Sequence, residues 1–255
     1  PVRRPPGAGD AAGLRTVRPK LSIKQTHNPE MVLNRKPDRQ GLRFLFGLAL
    51  TTVSIYAFYI GIARINSPEL FLVPEAIDME RNRCNEISSG SLTACIPEGF
   101  DTSVKDGGIE IHSARERVRG SIEVVPSLPR EGQWRKSLEQ PLIRAFLGDT
   151  RSMDTFELMD AILSHRYNPT LMGVKAALIP DWMKRDPRAR ILYAGSTGGL
   201  LFHTPRQSLG LSFQEGKVIV MSVTGRIPAG TAAGILDGAR LSRPAEPRTG
   251  STGSS

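Results

Sequence analysis

Two cysteines and four histidines are the side chains in this sequence best suited to bind a metal or to react. Cys84 and Cys95 stand eleven positions apart. With no Cys-x-x-Cys pair, they do not read as a redox couple. A disulfide closing this short loop is favoured over two free thiols and would contribute about 2–3 kcal/mol. The histidines are His27, His112, His165 and His203. None has the local spacing of a ligand pair such as His-Glu-x-x-His. His112, His165 and His203 are the one set a fold would have to assemble from a distance. Scattered polar histidines, with no metal, are the expected reading. "GSTGG" at 195–199 lacks the Gly-Lys-Ser/Thr of a phosphate-binding loop and lies between two strand-like segments, so it reads as a hairpin turn. No Gly-x-Ser-x-Gly elbow offers a serine nucleophile. Trp134 and Trp182 read as core or interface residues. The sequence therefore predicts a protein that is not an enzyme and holds no cofactor.

A disulfide persists only on the oxidising side of a membrane, so the elements that place the cysteines matter. Residues 44–63, FLFGLALTTVSIYAFYIGIA, carry no charge and are flanked by Arg43 and Arg64. Twenty helical residues at about 1.5 Å each span roughly 30 Å, the thickness of the bilayer hydrocarbon core. The hydroxyls of Thr51, Thr52 and Ser54 can bond back to their own helix. Tyr56 and Tyr59 sit near one end, where their hydroxyls reach the interface. A buried core helix and a cleaved signal peptide are the competing readings. Length disfavours the first, and forty-three preceding residues disfavour the second. Gly47, Thr51, Ser54 and Gly61 fall within roughly 80° of one another at about 100° per residue, a stripe on which a second helix can approach closely. Phe58 interrupts it.

The flanks set the direction. Residues 1–43 hold ten Lys or Arg against Asp10, Glu30 and Asp38, a net charge of +7. Residues 64–86 hold three basic side chains and five acids. The positive-inside rule puts the N-terminus in the cytoplasm. The whole chain is +9, so the remaining 212 residues are nearly balanced. The high pI belongs to the tail, and no nucleic-acid partner is expected. Anionic headgroups are the expected contact of the tail; a docking arm for a cytoplasmic protein is the alternative.

The predicted organisation is a basic disordered tail over 1–41, a span over 42–65, a connector over 66–83, a folded domain over 84–243 and a flexible tail over 244–255. In the connector, Pro68 and Pro74 frame an apolar patch, Leu70 to Val73, placed either at the membrane surface or on the domain. In the domain, Ser91–Ile96, Ile109–Ser113 and Val118–Val125 read as strands, the last two joined at Arg115–Arg117. Trp134, Leu138, Leu142, Ile143, Phe146 and Leu147 recur at helical spacing, with Pro141 as a kink or break. Asp154 and Glu157 form a capping-box pair ahead of a second helix faced by Phe156, Met159, Ile162 and Leu163. Ile191–Ala194, Leu200–His203, Leu209–Phe213 and Lys217–Val223 read as strands. Pro228 opens a helix faced by Ala232, Ile235, Leu236 and Ala239. Strands, helices, strands, helix argue an α+β domain with a mostly antiparallel sheet packed by helices.

"SGSLTACIPEGF", ending at Phe100, resembles the opening strand of PsbP-like domains, the family of the extrinsic photosystem subunit, where a strand ends in a Pro-Glu-Gly-type turn. "KVIVMSVTG…AAGILDGARL" at 217–241 is similar to their last strand and last helix. The resemblance covers about residues 90–243. It implies a three-layer α/β sandwich with a non-catalytic accessory role.

These readings converge on a single-pass membrane protein of the inner (cytoplasmic) membrane. Its domain is periplasmic or lumenal and docks on a larger membrane or envelope complex. Membrane lipid and other membrane-protein subunits are its expected partners. The alternatives are a membrane-anchored sensor or enzyme with a site in the outer domain, whose small-molecule ligand is open, and a soluble protein with 44–63 as a core helix.

Overall fold

The computed structural model describes residues 39–79, 83–105, 107–129, 131–194 and 198–242. His27, most of the basic tail, the 195–197 part of the expected hairpin turn and the tail from 243 lie outside the described residues. The first element is helix α1, Arg39–Asn66, which exceeds the expected span by three residues at its start and one at its end. It is long and apolar enough over Gly41–Asn66 to cross a membrane. The Thr51 hydroxyl donates to the Gly47 carbonyl at 2.7 Å, keeping that polar group inside the helix's own bonding.

The domain is α+β. Its strands in chain order are β1 (Pro74–Glu75), β2 (Cys84–Ser89), β3 (Leu92–Pro97), β4 (Asp101–Lys105), β5 (Gly108–Ser113) and β6 (Val118–Val125), then β7 (Arg190–Tyr193), β8 (Gly199–Thr204), β9 (Gln207–Gln214), β10 (Lys217–Thr224) and β11 (Arg240–Leu241). Helices α2 (Glu131–Leu138), α3 (Pro141–Leu147), α4 (Thr155–Ser164) and α5 (Pro169–Leu178) lie between β6 and β7, and α6 (Ala229–Asp237) precedes β11. One eight-stranded sheet runs β1-β7-β8-β9-β10-β6-β5-β4, and a three-stranded sheet runs β11-β3-β2. Only the β1–β7 pair is parallel among the pairings described.

Period-two alternation gives the large sheet two faces. Along β10, Ile219, Met221 and Val223 join Ile235 and Leu236 of α6 and Leu92, Ala94 and Ile96 of β3 in one core. Val218 and Val220 turn the other way, into a second core with α2 to α5. Gly210 on β9 lets α6 lie close, since a Cβ there would come within 2.8 Å of Leu236 Cδ2.

The local signals act as their chemistry dictates. The Asp154 side chain accepts from the Glu157 N–H at 2.7 Å, and the Glu157 side chain accepts from the Asp154 N–H at 3.1 Å, so the capping box is complete. Pro141 breaks rather than kinks: α2 ends at Leu138 and α3 starts with this proline in its first turn, where its missing N–H is harmless. Residues Pro68–Phe71 form a 3-10 turn, and β1 adds to the edge of the large sheet. Leu70 and Leu72 pack into the helical core, which places the apolar patch on the domain.

Candidate functional site

The seam where the connector meets the domain is held by several polar contacts. Ser67 alone separates α1 from the 3-10 turn, and its N–H donates to the Ala63 carbonyl at 2.8 Å. Lys175, on the inner face of α5, is only 1% exposed. Its ammonium donates to the carbonyls of Leu163 at 2.7 Å and His165 at 3.2 Å, at the C-terminal end of α4, and to Leu72 of the connector. The carbonyls ending a helix have no intrahelical partner, and a cation there is favoured. One side chain thus joins α4, α5 and the connector. Burial, and then the nearby Arg166 charge, push its pKa down to about 8. Glu69, 7% exposed, accepts from the Arg185 N–H at 3.5 Å. Phe71 packs on Tyr167 at 5.9 Å, and Arg190 bonds Glu75 at 3.0 Å beside the β1–β7 pair.

A cleft of about 940 Å³ lies between the helical layer and the sheet. Trp134, Ile143, Val174, Phe202, Leu211 and Val220 give it an apolar wall; Gln133, Ser137, Gln140 and Thr170 supply neutral polar groups. Asp181 and Lys184, ion-paired to each other, also line it. Its volume falls in the range of small-molecule sites.

The groups with displaced titration lie elsewhere. Burial raises the Glu131 carboxyl, but bonds from Thr155, Arg135 and the Leu128 N–H outweigh it and leave it below the ordinary range. This network ties α2 to α4, with Arg135 Nε at 2.8 Å and Thr155 Oγ1 at 2.8 Å from Glu131 Oε1. Burial, then the Asp160 carboxylate that accepts its hydrogen bond at 2.6 Å, raises the Tyr193 hydroxyl. Burial, then the charge of Arg190, lowers His203.

Of the residues singled out from sequence, Cys84 and Cys95 are brought together as a disulfide with Cα atoms 5.4 Å apart. Each cysteine lies in a strand, so the bridge staples the β2–β3 hairpin. Gly47, Thr51, Ser54 and Gly61 lie on α1 as spaced, and a Cβ built on either glycine would meet nothing within 4 Å. The histidines do not converge. His112 on β5 and His203 on β8 are four strand steps apart in the sheet, roughly 19 Å at the usual strand spacing. His165 Nδ1 sits 2.7 Å from its own helix's Ala161 carbonyl. Among the described residues no group of three His, Cys, Asp or Glu is placed to hold a metal. Trp134 and Trp182 both pack in the helical core.

The structure thus defines an α+β domain joined to an apolar helix, the one long enough to cross a membrane among the described residues. No protein-family model matches the chain, and no curated protein matches its sequence. In structure it is similar to a protein from Bacteroides thetaiotaomicron VPI-5482, at 8% identity and a TM-score of 0.31, over 66% of this chain and 51% of that one. The chain spans about half the length of that protein. A likeness at this level carries no argument about function.

Proposed function

We propose that the protein is a membrane-anchored accessory subunit whose α+β domain docks on a larger membrane or envelope complex. The observation that carries this reading is the seam. A domain meant to reach for distant targets needs a slack linker. Here one residue separates helix from turn, and the connector is bonded through Lys175, Glu69 and the β1–β7 pair. Such a joint suits a domain held at a fixed place on an assembly. The likeness of residues 90–100 and 217–241 to PsbP-like domains agrees with an accessory role. The proposed orientation has the N-terminus in the cytoplasm of the inner membrane and the domain in the periplasm or a lumen. It rests on the +7 tail and on the disulfide. Protease protection of the domain in intact spheroplasts or vesicles tests the orientation. Purification of the intact protein from its native membrane in mild detergent tests the function. Stoichiometric co-purifying subunits are expected; a monodisperse monomer overturns the reading.

The 940 Å³ cleft favours a second reading, a membrane-anchored sensor for a largely apolar small molecule. Filling the cleft from Gly173 separates the two. That variant abolishes ligand binding in a sensor and leaves assembly intact in a subunit that docks through another surface.

A further inference from the structure

A smaller recess of about 520 Å³ opens at the end of the sheet where the connector enters. The strand register fixes that end. It collects the start of β7, the β8–β9 turn, the β5–β6 turn and the loop from β10 to α6. Each of these segments carries arginine. Arg188, Arg206 and Arg226 line the recess, with Glu116 the only carboxylate among its lining residues. Arg188 Nε lies 4.0 Å from Asp186, whereas Arg206 and Arg226 have no carboxylate partner among the described residues. Gly225 brings the β10–α6 loop down onto the β5–β6 turn. Its φ is +116°, and a Cβ would fall 2.3 Å from the Arg117 carbonyl, so the close approach that places Arg226 requires glycine.

Two further features point into the same space. Pro228, which lines the recess, is the residue just before α6, so the positive end of the helix dipole lies beside it. His203 is 8% exposed and lines the recess. Its Nδ1 lies 2.8 Å from the Ser208 hydroxyl, and its Nε2 has no partner among the described residues. With Ser208 assigned as the donor to Nδ1, the ring proton sits on Nε2 and is available to an acceptor in the recess.

We infer that this recess binds a phosphate-bearing anion, held by the guanidinium groups of Arg188, Arg206 and Arg226 and His203 Nε2–H, with the positive end of the α6 dipole beside it. Guanidinium forks match phosphate oxygens in pairs, and a helix N-terminus is an anion site. The volume exceeds that of bare phosphate and leaves room for a small organic body such as glycerol. Two sources present this chemistry: an anionic phospholipid headgroup and a soluble phosphate ester.

The test is calorimetric titration of the intact protein in nonionic micelles with sn-glycerol 3-phosphate and, separately, with dihexanoylphosphatidylglycerol. Saturable binding of either probe is expected, weakened by about tenfold or more when Arg206→Ala and Arg226→Ala are combined. Tighter binding of the lipid identifies a headgroup site, and tighter binding of the soluble ester identifies a metabolite site. Both arginines are exposed, so an unchanged melting temperature checks the fold of the variant. Arg226→Lys keeps the charge but not the fork and retains intermediate affinity. Absence of saturable heat with both probes overturns the inference, as does wild-type affinity in the double variant.

Discussion

Lys175 makes the stability of the domain depend on pH in a direction opposite to that of an ion-paired lysine. Its folded pKa lies near 8, against 10.5 for an ordinary lysine. Below pH 8 both the folded and unfolded chains carry the proton. Between 8 and 10.5 the unfolded chain holds it and the folded domain has released it. The unfolded state then binds more protons, so unfolding free energy rises with pH. Above 10.5 the contribution is flat. At about 1.4 kcal/mol per pH unit, the full gain is about 3 kcal/mol. Other groups titrate in the same window, so the comparison is with Lys175→Met, a side chain of similar length without the charge. Urea unfolding followed by the fluorescence of Trp134 and Trp182, at steps from pH 7 to 10.5, gives both curves. The wild-type curve climbs relative to the variant across that window. The variant also strips the donor from three carbonyls, those of Leu72, Leu163 and His165. A carbonyl left buried without a partner costs about 1–3 kcal/mol. The Leu72 carbonyl escapes most easily, by release of the connector, so cleavage by chymotrypsin at Phe71 accelerates. Parallel pH curves for the two proteins refute the environment assigned to Lys175.

Replacing both cysteines by serine lowers unfolding free energy by about 3 kcal/mol, the chain-entropy value for a loop of this length, read from urea curves of the oxidised wild type and the variant. Asp154→Ala removes the capping box of α4 and costs about 1 kcal/mol by the same assay. Gly173→Ala leaves the fold intact and stabilises it by up to about 1 kcal/mol, because glycine is a poor helix former and a Cβ there meets nothing within 4 Å. A larger residue, Gly173→Leu, extends into the cleft and excludes an apolar probe dye from it without lowering the melting temperature.

The large sheet was legible where burial imposes a pattern. Val118–Val125 is a strand over those same residues, and β7 to β10 lie within a residue or two of their expected places. Apolar residues recur in each of these strands, and turn residues separate them. The strands that escaped notice are β2 and β4, whose side chains are mostly exposed and show no buried alternation. The two-residue β1 and β11 escaped because only their pairings, with β7 and with β3, make them strands. Periodicity reports burial, and these strands have little to report.

Helix α5 is the informative miss. Its start was signalled, since Asn168 accepts from the N–H groups of Thr170 and Leu171 and Pro169 follows it. What hid it is Lys175, a charged residue on the face that Leu171 and Val174 turn to the core. The break in the hydrophobic pattern is the same residue that binds the connector. The recess of arginines follows the same logic by another route. Arg188, Arg206 and Arg226 look like ordinary surface charges when each is read among its neighbours in sequence. Only the antiparallel register gathers three separate loops at one end of the sheet, around a helix start and a buried histidine. Sites of this kind are made by topology from residues that each satisfy, or each violate, a local rule alone. A chain whose core positions were all apolar would have advertised α5 and lost the donor that ties the connector to it.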